Sequence, residues 1–228
     1  MRMYGGTDIG LVRTTNQDNY YIDEQAKWAV VADGMGGHNG GETASTVAVS
    51  EIKAAMDKRL SLTEAVSNAN REVFKMSVEN KTLIGMGTTV VICRVEDDVA
   101  NIAHIGDSRA YLYSDGKLEQ ITKDHSIVQQ LIDCGTITEE QAKYHPQRNL
   151  ITRAVGTERN VVADINSVNL KKNDIILICS DGLSSYVEDD KIKHILEETD
   201  DISVVDKLIE EANKNGGKDN ITAVIIKA

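Results

Sequence analysis

Hydrophobic positions along this chain change period several times, and each change marks an element. Short, strand-like apolar runs occupy residues 3–7, 19–23 and 28–32. From Gly41 to about Lys58 the period becomes helical, with Ala44, Val47, Ala48, Ile52, Ala55 and Met56 on one face. Ser61 is placed as an N-cap, and Glu64 three residues on completes a capping box that opens a second helix, to about Asn80. Strand patterns resume over 88–95, 99–105, 109–113 and 118–121. Residues 126–133 and 138–144 read as short helices in a polar excursion that runs on to Asn149. Further strands are expected at 151–154, 164–169 and 175–179, then helices at about 188–198 and 202–215, then a last strand at 221–226.

Strands thus come in blocks and helices in pairs, unlike the strict β-α alternation of a parallel doubly wound sheet. Neighbouring strands joined by short turns imply antiparallel sheets. The expected class is α+β: a four-layer α-β-β-α sandwich of two mainly antiparallel sheets, each covered by a helix pair. At 228 residues the chain is read as one large domain, 1–228. Loops at the strand ends would then meet at one rim between the sheets.

Composition narrows the function. A net charge of -11 argues against nucleic acid and against anionic membrane surfaces, and bound metal would offset part of it. One Trp and one Phe leave no evident stacking platform for bases. Cys93, Cys134 and Cys179 are far apart and odd in number, so no paired spacing suggests zinc or a redox centre, and a reducing cytoplasmic setting is expected. Residues 1–10 lack a signal-peptide apolar stretch, and no run approaches the roughly 18 apolar residues of a membrane span.

Three apolar runs end on an aspartate touching a glycine: 28–32 before Asp33-Gly34, 101–105 before Gly106-Asp107, and 175–180 before Asp181-Gly182. A fourth, Asp219, precedes the run that begins at Ile221. Asp-Gly is also a strong hairpin signal, and Asp115-Gly116, between two alternating segments, is read as that turn. Asp33-Gly34 and Asp181-Gly182 are followed by helix-like sequence, not by a returning strand. Carboxylates at buried strand ends are costly unless something positive meets them. Oxygen donors without a His or Cys cluster select Mg²⁺ or Mn²⁺. Two such ions about 3.5–4 Å apart can share and acidify a bridging water. The glycines allow close backbone approach, and the Gly34 carbonyl is itself a candidate ligand. Arg13, in a polar loop ahead of Asp18, suits a phosphate clamp, the alternative being a solvated surface arginine.

These residues fall into an ordered set: Arg13 to Asn19, Asp33 to His38 with Gly40-Gly41, Gly87-Thr88-Thr89, Gly106-Asp107-Ser108-Arg109, Asp124-His125, Ser180-Asp181-Gly182-Leu183 and Gly217-Lys218-Asp219-Asn220. In that order and spacing the chain resembles, end to end, the metal-dependent 2C-type serine/threonine protein phosphatases in their compact bacterial form. The resemblance implies hydrolysis of phosphoserine and phosphothreonine by direct attack of a metal-bridging hydroxide, without a phosphoenzyme. It implies that Asp33, Asp181 and Asp219 hold one ion of a Mn²⁺ or Mg²⁺ pair and that Asp33 with the Gly34 carbonyl holds the other. Asp18 would support the pair through water, Asp107 with Asp181 would form a third, weaker site, and Arg13 would bind the substrate phosphate. The excursion at about 126–150 matches the family's flap.

One departure concerns the proton donor. Where some relatives have a histidine two residues after the first aspartate, this chain has Met35, and His38 lies further on. His38 is read either as a general acid or as a structural or substrate-contacting residue, with metal-bound water as the other proton source. His104 is expected to be a core residue, His125 to brace a loop and Arg109 to pair with acidic neighbours. Expected partners are phosphorylated proteins and a cognate serine/threonine kinase, with no nucleic acid, no membrane insertion and a monomeric chain. The competing class is a catalytically weak binding or regulatory module on the same fold. A cysteine phosphatase is excluded, because the residues six after the cysteines are Val99, Glu140 and Ser185, none of them arginine.

Overall fold

The computed structural model describes residues 1–199 and 202–228, with the side chains of His38 and Asn39 outside that description. In chain order the elements are β1 (Arg2–Asp8), β2 (Asp18–Asp23), β3 (Trp28–Met35), α1 (Gly37–Asp57), α2 (Leu62–Glu79), β4 (Gly87–Thr88), β5 (Val90–Glu96), β6 (Val99–Ile105), β7 (Arg109–Ser114) and β8 (Lys117–Gln120). They continue with α3 (Ile127–Asp133), α4 (Glu139–Lys143), β9 (Asp164–Asn169), β10 (Ile175–Cys179), α5 (Asp181–Ser184), α6 (Asp189–Glu198), α7 (Ser203–Lys214) and β11 (Ile221–Lys227).

One sheet has the order β1-β11-β10-β7-β8, the other β2-β3-β5-β6-β9 with the short β4 added to β3, and the strand pairs are antiparallel. The expected four layers are present as three cores. Trp28, Val30, Ala32, Val90 and Ile92 face α1 and α2. Leu177, Cys179, Ile221, Ala223 and Ile225 face α5, α6 and α7. Ala29, Val31, Val91, Cys93, Ile176, Ile178, Val224 and Ile226 meet between the sheets. Central strands are therefore covered on both faces, which is why they read as continuous apolar runs although their neighbours are antiparallel. Ser61 caps α2 with the expected capping box to Glu64, and Asp115-Gly116 is a hairpin turn with both residues at positive φ.

Two boundaries differ from the expectation. α1 begins at Gly37, four residues before the apolar period, because the turn over Gly36 and Gly37 feeds straight into the helix. Residues 151–154 are not a strand. Ile151 makes one isolated bridge to Ser126 and Val155 one to Thr88, so this stretch crosses between elements instead of extending a sheet.

Asn70 on α2 fixes that crossing. Its Nδ2 donates to the carbonyls of Glu158 and Arg159, and its Oδ1 accepts from Gly156 N at 2.8 Å. One buried side chain thus satisfies three backbone groups. Asn70→Leu should lower unfolding free energy by about 3 kcal/mol, since each unmet buried group costs on the order of 1–3 kcal/mol. Urea denaturation should report this as a lower midpoint at unchanged slope; an unchanged midpoint would refute the role.

Candidate metal centre

Strand register and loop crossings bring the expected aspartates to one rim. Pairing of β2 with β3 sets Asp18 directly opposite Asp33, an arrangement that like charges disfavour. Asp107 follows β6 at the corner into β7, Asp181 opens α5 directly after β10, and Asp219 sits just ahead of β11. The glycines between them are crossing points. A Cβ on Gly182 would lie 1.9 Å from the Asn220 carbonyl oxygen, and one on Gly10 would lie 2.2 Å from that of Asp219. A Cβ on Gly34 would lie 2.1 Å from the Gly41 carbonyl oxygen. The Asp181 and Asp219 loops therefore touch backbone to backbone, which no larger residue permits.

Asp18, Asp33 and the Asp219 loop are braced from behind. Asp18 Oδ2 accepts from Ser180 Oγ and Thr222 Oγ1, both at 2.7 Å, while its buried Oδ1 has no partner among the described residues. Thr7 and Asn16 extend that chain of hydroxyl and amide groups outward. The backbone of Asp33 is clamped by Thr88 and Thr89: its N–H donates to Thr89 Oγ1 and its carbonyl accepts from Thr88 Oγ1 and Thr89 N. Asn220 staples the Asp219 loop to the Arg13 loop, donating to the carbonyls of Ile9 and Thr15 and accepting from Gln17 N. Asp181 Oδ1 is buried without a partner among the described residues. Arg13 Nη2 donates to Asp219 Oδ2 at 2.7 Å, so the expected phosphate clamp reaches the cluster.

The electrostatics follow from this convergence. Burial, then the charges of Asp18, Asp181, Asp107 and Asp219, push the Asp33 carboxyl well above the usual carboxylate range. Burial and then Asp181 do the same to Asp107. Asp18 is pushed up to about 7, by burial against its two hydroxyl donors. Asp181 is raised to about 6 by burial and Asp219, with a hydrogen bond to Asp33 opposing. Crowded, desolvated oxygen donors with two unpartnered atoms fit a hard divalent cation.

Other expectations resolve individually. Arg109 pairs with Asp124 at 2.7 Å, as expected of a structural residue. His104 is buried, with Nε2 against the Lys123 carbonyl, and His125 Nδ1 accepts from Gly106 N, bracing the corner that leads to Asp107. Spacing could not reveal that ligand atoms of His104, His125 and Asp164 lie within 4.8 Å of one another. The Arg153 guanidinium sits against His125 and Asp164, so a positive charge already occupies that place. The His38 side chain lies outside the described residues.

Sequence reasoning missed Asn220 and Thr222 as supports, although both fall in or beside quoted motifs. It also missed Tyr186. Burial raises the Tyr186 phenol, Asp181 and Asp219 raise it further, and Arg148 and Arg13 pull it down.

The family model described as protein phosphatase 2C matches residues 12–224. The chain is 36% identical over 235 residues to protein phosphatase PhpP of Streptococcus pneumoniae, covering 96% of this chain and 94% of that protein. A crystal structure of the Mycobacterium tuberculosis serine/threonine phosphatase PstP/Ppp is similar with a TM-score of 0.91 and 38% identity, over 98% of this chain and 97% of that one. A crystal structure of the PstP catalytic domain in complex with two manganese ions matches with a TM-score of 0.89 and 36% identity, over 98% and 96% of the two chains.

The raised carboxyls carry a pH signature. Their folded values lie above the ordinary 3.8, so the metal-free fold binds protons that the unfolded chain releases. That contribution is fully present below 3.8 and is lost as pH rises through about 6 to 7. Asp33→Asn removes one of the repelling charges. Without metal, the variant should melt above the wild type at about pH 8, with the gap closing towards about pH 5.5. Thermal scans giving the same gap at both values would contradict this electrostatic account.

Proposed function

The chain belongs to the protein phosphatase 2C family, and we propose that Asp18, Asp33, Asp107, Asp181 and Asp219 form the centre at which it hydrolyses phosphoserine and phosphothreonine in proteins. It is a Mn²⁺- or Mg²⁺-dependent serine/threonine protein phosphatase, not a binding module that has kept the fold and lost the chemistry. What supports the site assignment above all is the gathering of five mutually repelling carboxylates, two of them with an unpartnered buried oxygen.

In this reading Asp33, Asp181 and Asp219 would hold one ion of the central pair, and Asp33 with the Gly34 carbonyl would hold the other. Asp107 with Asp181 supplies a third, weaker site. Asp18 stands behind the pair, its Oδ2 kept in place by Ser180 and Thr222. When bound, the two ions supply an acidified water nucleophile for direct attack on phosphorus and positive charge opposite the phosphoryl oxygens. Arg13 orients the phosphoryl group: its fork now grips an Asp219 oxygen, and a phosphate oxygen is an equivalent acceptor. Thr88 and Thr89 hold the Asp33 backbone against recoil as charge shifts nearby. His38, in the first turn of α1 three residues beyond the end of β3, is the candidate proton donor to the leaving alkoxide.

The whole chain, 1–228, acts as one catalytic domain, with residues 126–150 as a flap beside the site. Phosphoproteins are the substrates. Among the described residues no helix is long and apolar enough to cross a membrane. Two of the three free cysteines are buried, consistent with a reducing compartment. We place the enzyme in the cytoplasm as a monomer that opposes a cognate serine/threonine kinase.

Turnover of a phosphothreonine peptide should require added Mn²⁺ or Mg²⁺ and stop on chelation. Asp33→Asn and Asp181→Asn should each lower kcat by at least about a hundredfold. Full turnover in both would overturn the site. Calorimetric titration should show the central Mn²⁺ affinity weakened in the same variants. Arg13→Ala should raise KM by about tenfold with a smaller change in kcat, as for a lost charge-assisted hydrogen bond; an unchanged kcat/KM would remove Arg13 from substrate capture.

A further inference from the structure

His125 grips one corner of the chain twice. Its N–H donates to the Gly106 carbonyl at 2.9 Å, and the Gly106 N–H donates to His125 Nδ1 at 3.0 Å. Gly106 immediately precedes Asp107 and has a φ of 105°. A Cβ there would lie 2.5 Å from Thr89 Cγ2, so the corner tolerates no side chain of its own. The residue that carries Asp107 into place is therefore held by an imidazole from a distant part of the sequence.

That bond assigns the proton on the ring. An amide N–H donates only to a bare nitrogen, so the neutral imidazole carries its hydrogen on Nε2, which faces Asp164 Oδ2 at 3.2 Å. Arg153 Nη1 lies 2.7 Å from Nε2, but an arginine nitrogen is also a donor. Its acceptor is Asp164 Oδ1, at 2.8 Å. The His104 ring stacks on His125, with centroids 4.7 Å and planes 14° apart, and its own Nε2 is tied to the Lys123 carbonyl at 2.9 Å. Thr152 N–H donates to the His125 carbonyl at 2.7 Å. The imidazole is thus fixed at its edge, on its face and at its backbone. A protonated Nε2 has no lone pair for a cation, so the gathering of His104, His125 and Asp164 orients a ring and does not ligate a metal.

We propose that His125 is a positioning residue for Asp107: the imidazole, held in its Nε2–H form by Asp164, fixes the Gly106 amide and so aims the Asp107 carboxylate for the third, weaker ion. The inference rests on the reading of Asp107 and Asp181 as that ion's site. The central pair hangs on other supports, Asp33 on Thr88 and Thr89 and the Asp219 loop on Asn220, so loss of His125 falls on the third ion.

The test titrates Mn²⁺ into the full chain by calorimetry and follows turnover of a phosphothreonine peptide against Mn²⁺. His125→Asn sets an amide oxygen near the Nδ1 position and keeps an acceptor for Gly106, whereas His125→Gln reaches only towards the Nε2 position and His125→Leu offers no acceptor. The wild type and His125→Asn should show a strong and a weak binding phase. His125→Gln and His125→Leu should weaken the weak phase by about tenfold, the scale of one lost hydrogen bond, and leave the strong phase within about twofold. In an Asp107→Asn background, His125→Gln should change turnover no further, because it acts through the residue already altered. Equal binding by the Asn and Gln variants, or a strong phase weakened as much as the weak one, would overturn the proposal. If His125→Leu fails to fold, the Asn and Gln pair decides alone. A weak phase that is missing from the wild type, or that Asp107→Asn leaves intact, would instead overturn the assignment of the third site.

Discussion

Like charges held close together and away from water are the constraint on which this structure depends. Left to themselves, the five aspartates would separate or take up protons, and the raised proton affinity of Asp18, Asp33, Asp107 and Asp181 measures that tendency. What keeps them together is scaffolding on the side away from the cluster. Antiparallel pairing fixes Asp18 opposite Asp33, glycines let the loop backbones cross within van der Waals range, and hydroxyls or amides of Ser180, Thr222, Thr88, Thr89 and Asn220 hold each carrier in place. Three layers of apolar packing make that scaffold stiff. The repulsion is accordingly a form of preorganisation: a divalent cation bound there would meet oxygen donors already assembled and would relieve their repulsion.

Much of this is legible in the sequence, for a physical reason. Strands buried on both faces leave uninterrupted apolar runs, and an aspartate at the end of such a run is conspicuous because its burial demands compensation. Asp33, Asp107, Asp181 and Asp219 stand out in the sequence alone for that reason. Helix α2 is equally readable, because Ser61 and Glu64 act within one turn. Residues 151–154 mislead because β-branched composition does not reveal whether a partner strand is free, and here the backbone is claimed by single bridges to Ser126 and Thr88. Asn220 and Thr222 escape notice as supports because their roles exist only once β1, β2, β10 and β11 are in register.

The excursion between β8 and β9 is built differently from the rest. α3 has no buried residue and α4 only Ala142, and each is capped by its own Ser126 or Thr138. Its ties to the body include the His125 to Gly106 backbone bond, the Lys143–Glu188 pair and the Arg153–Asp164 pair. Local capping and few apolar contacts are the marks of a segment that can open at little cost in free energy. A rigid centre for the chemistry beside a loosely held border suits an enzyme whose substrates share a phosphoryl group and differ in what surrounds it.

The contacts that close the centre join opposite ends of the sequence. Arg13 meets Asp219 across 206 positions, and Thr222 meets Asp18 across 204. During synthesis, Asp18, Asp33 and Asp107 leave the ribosome long before Asp219 and β11. The nascent polypeptide therefore carries a half-built anionic cluster and an unpaired β10 edge until translation has passed Asp219 and β11. Such high contact order slows folding. It also makes β11 a checkpoint, since the carboxylate cluster stays incomplete until Asp219 and that strand have been translated.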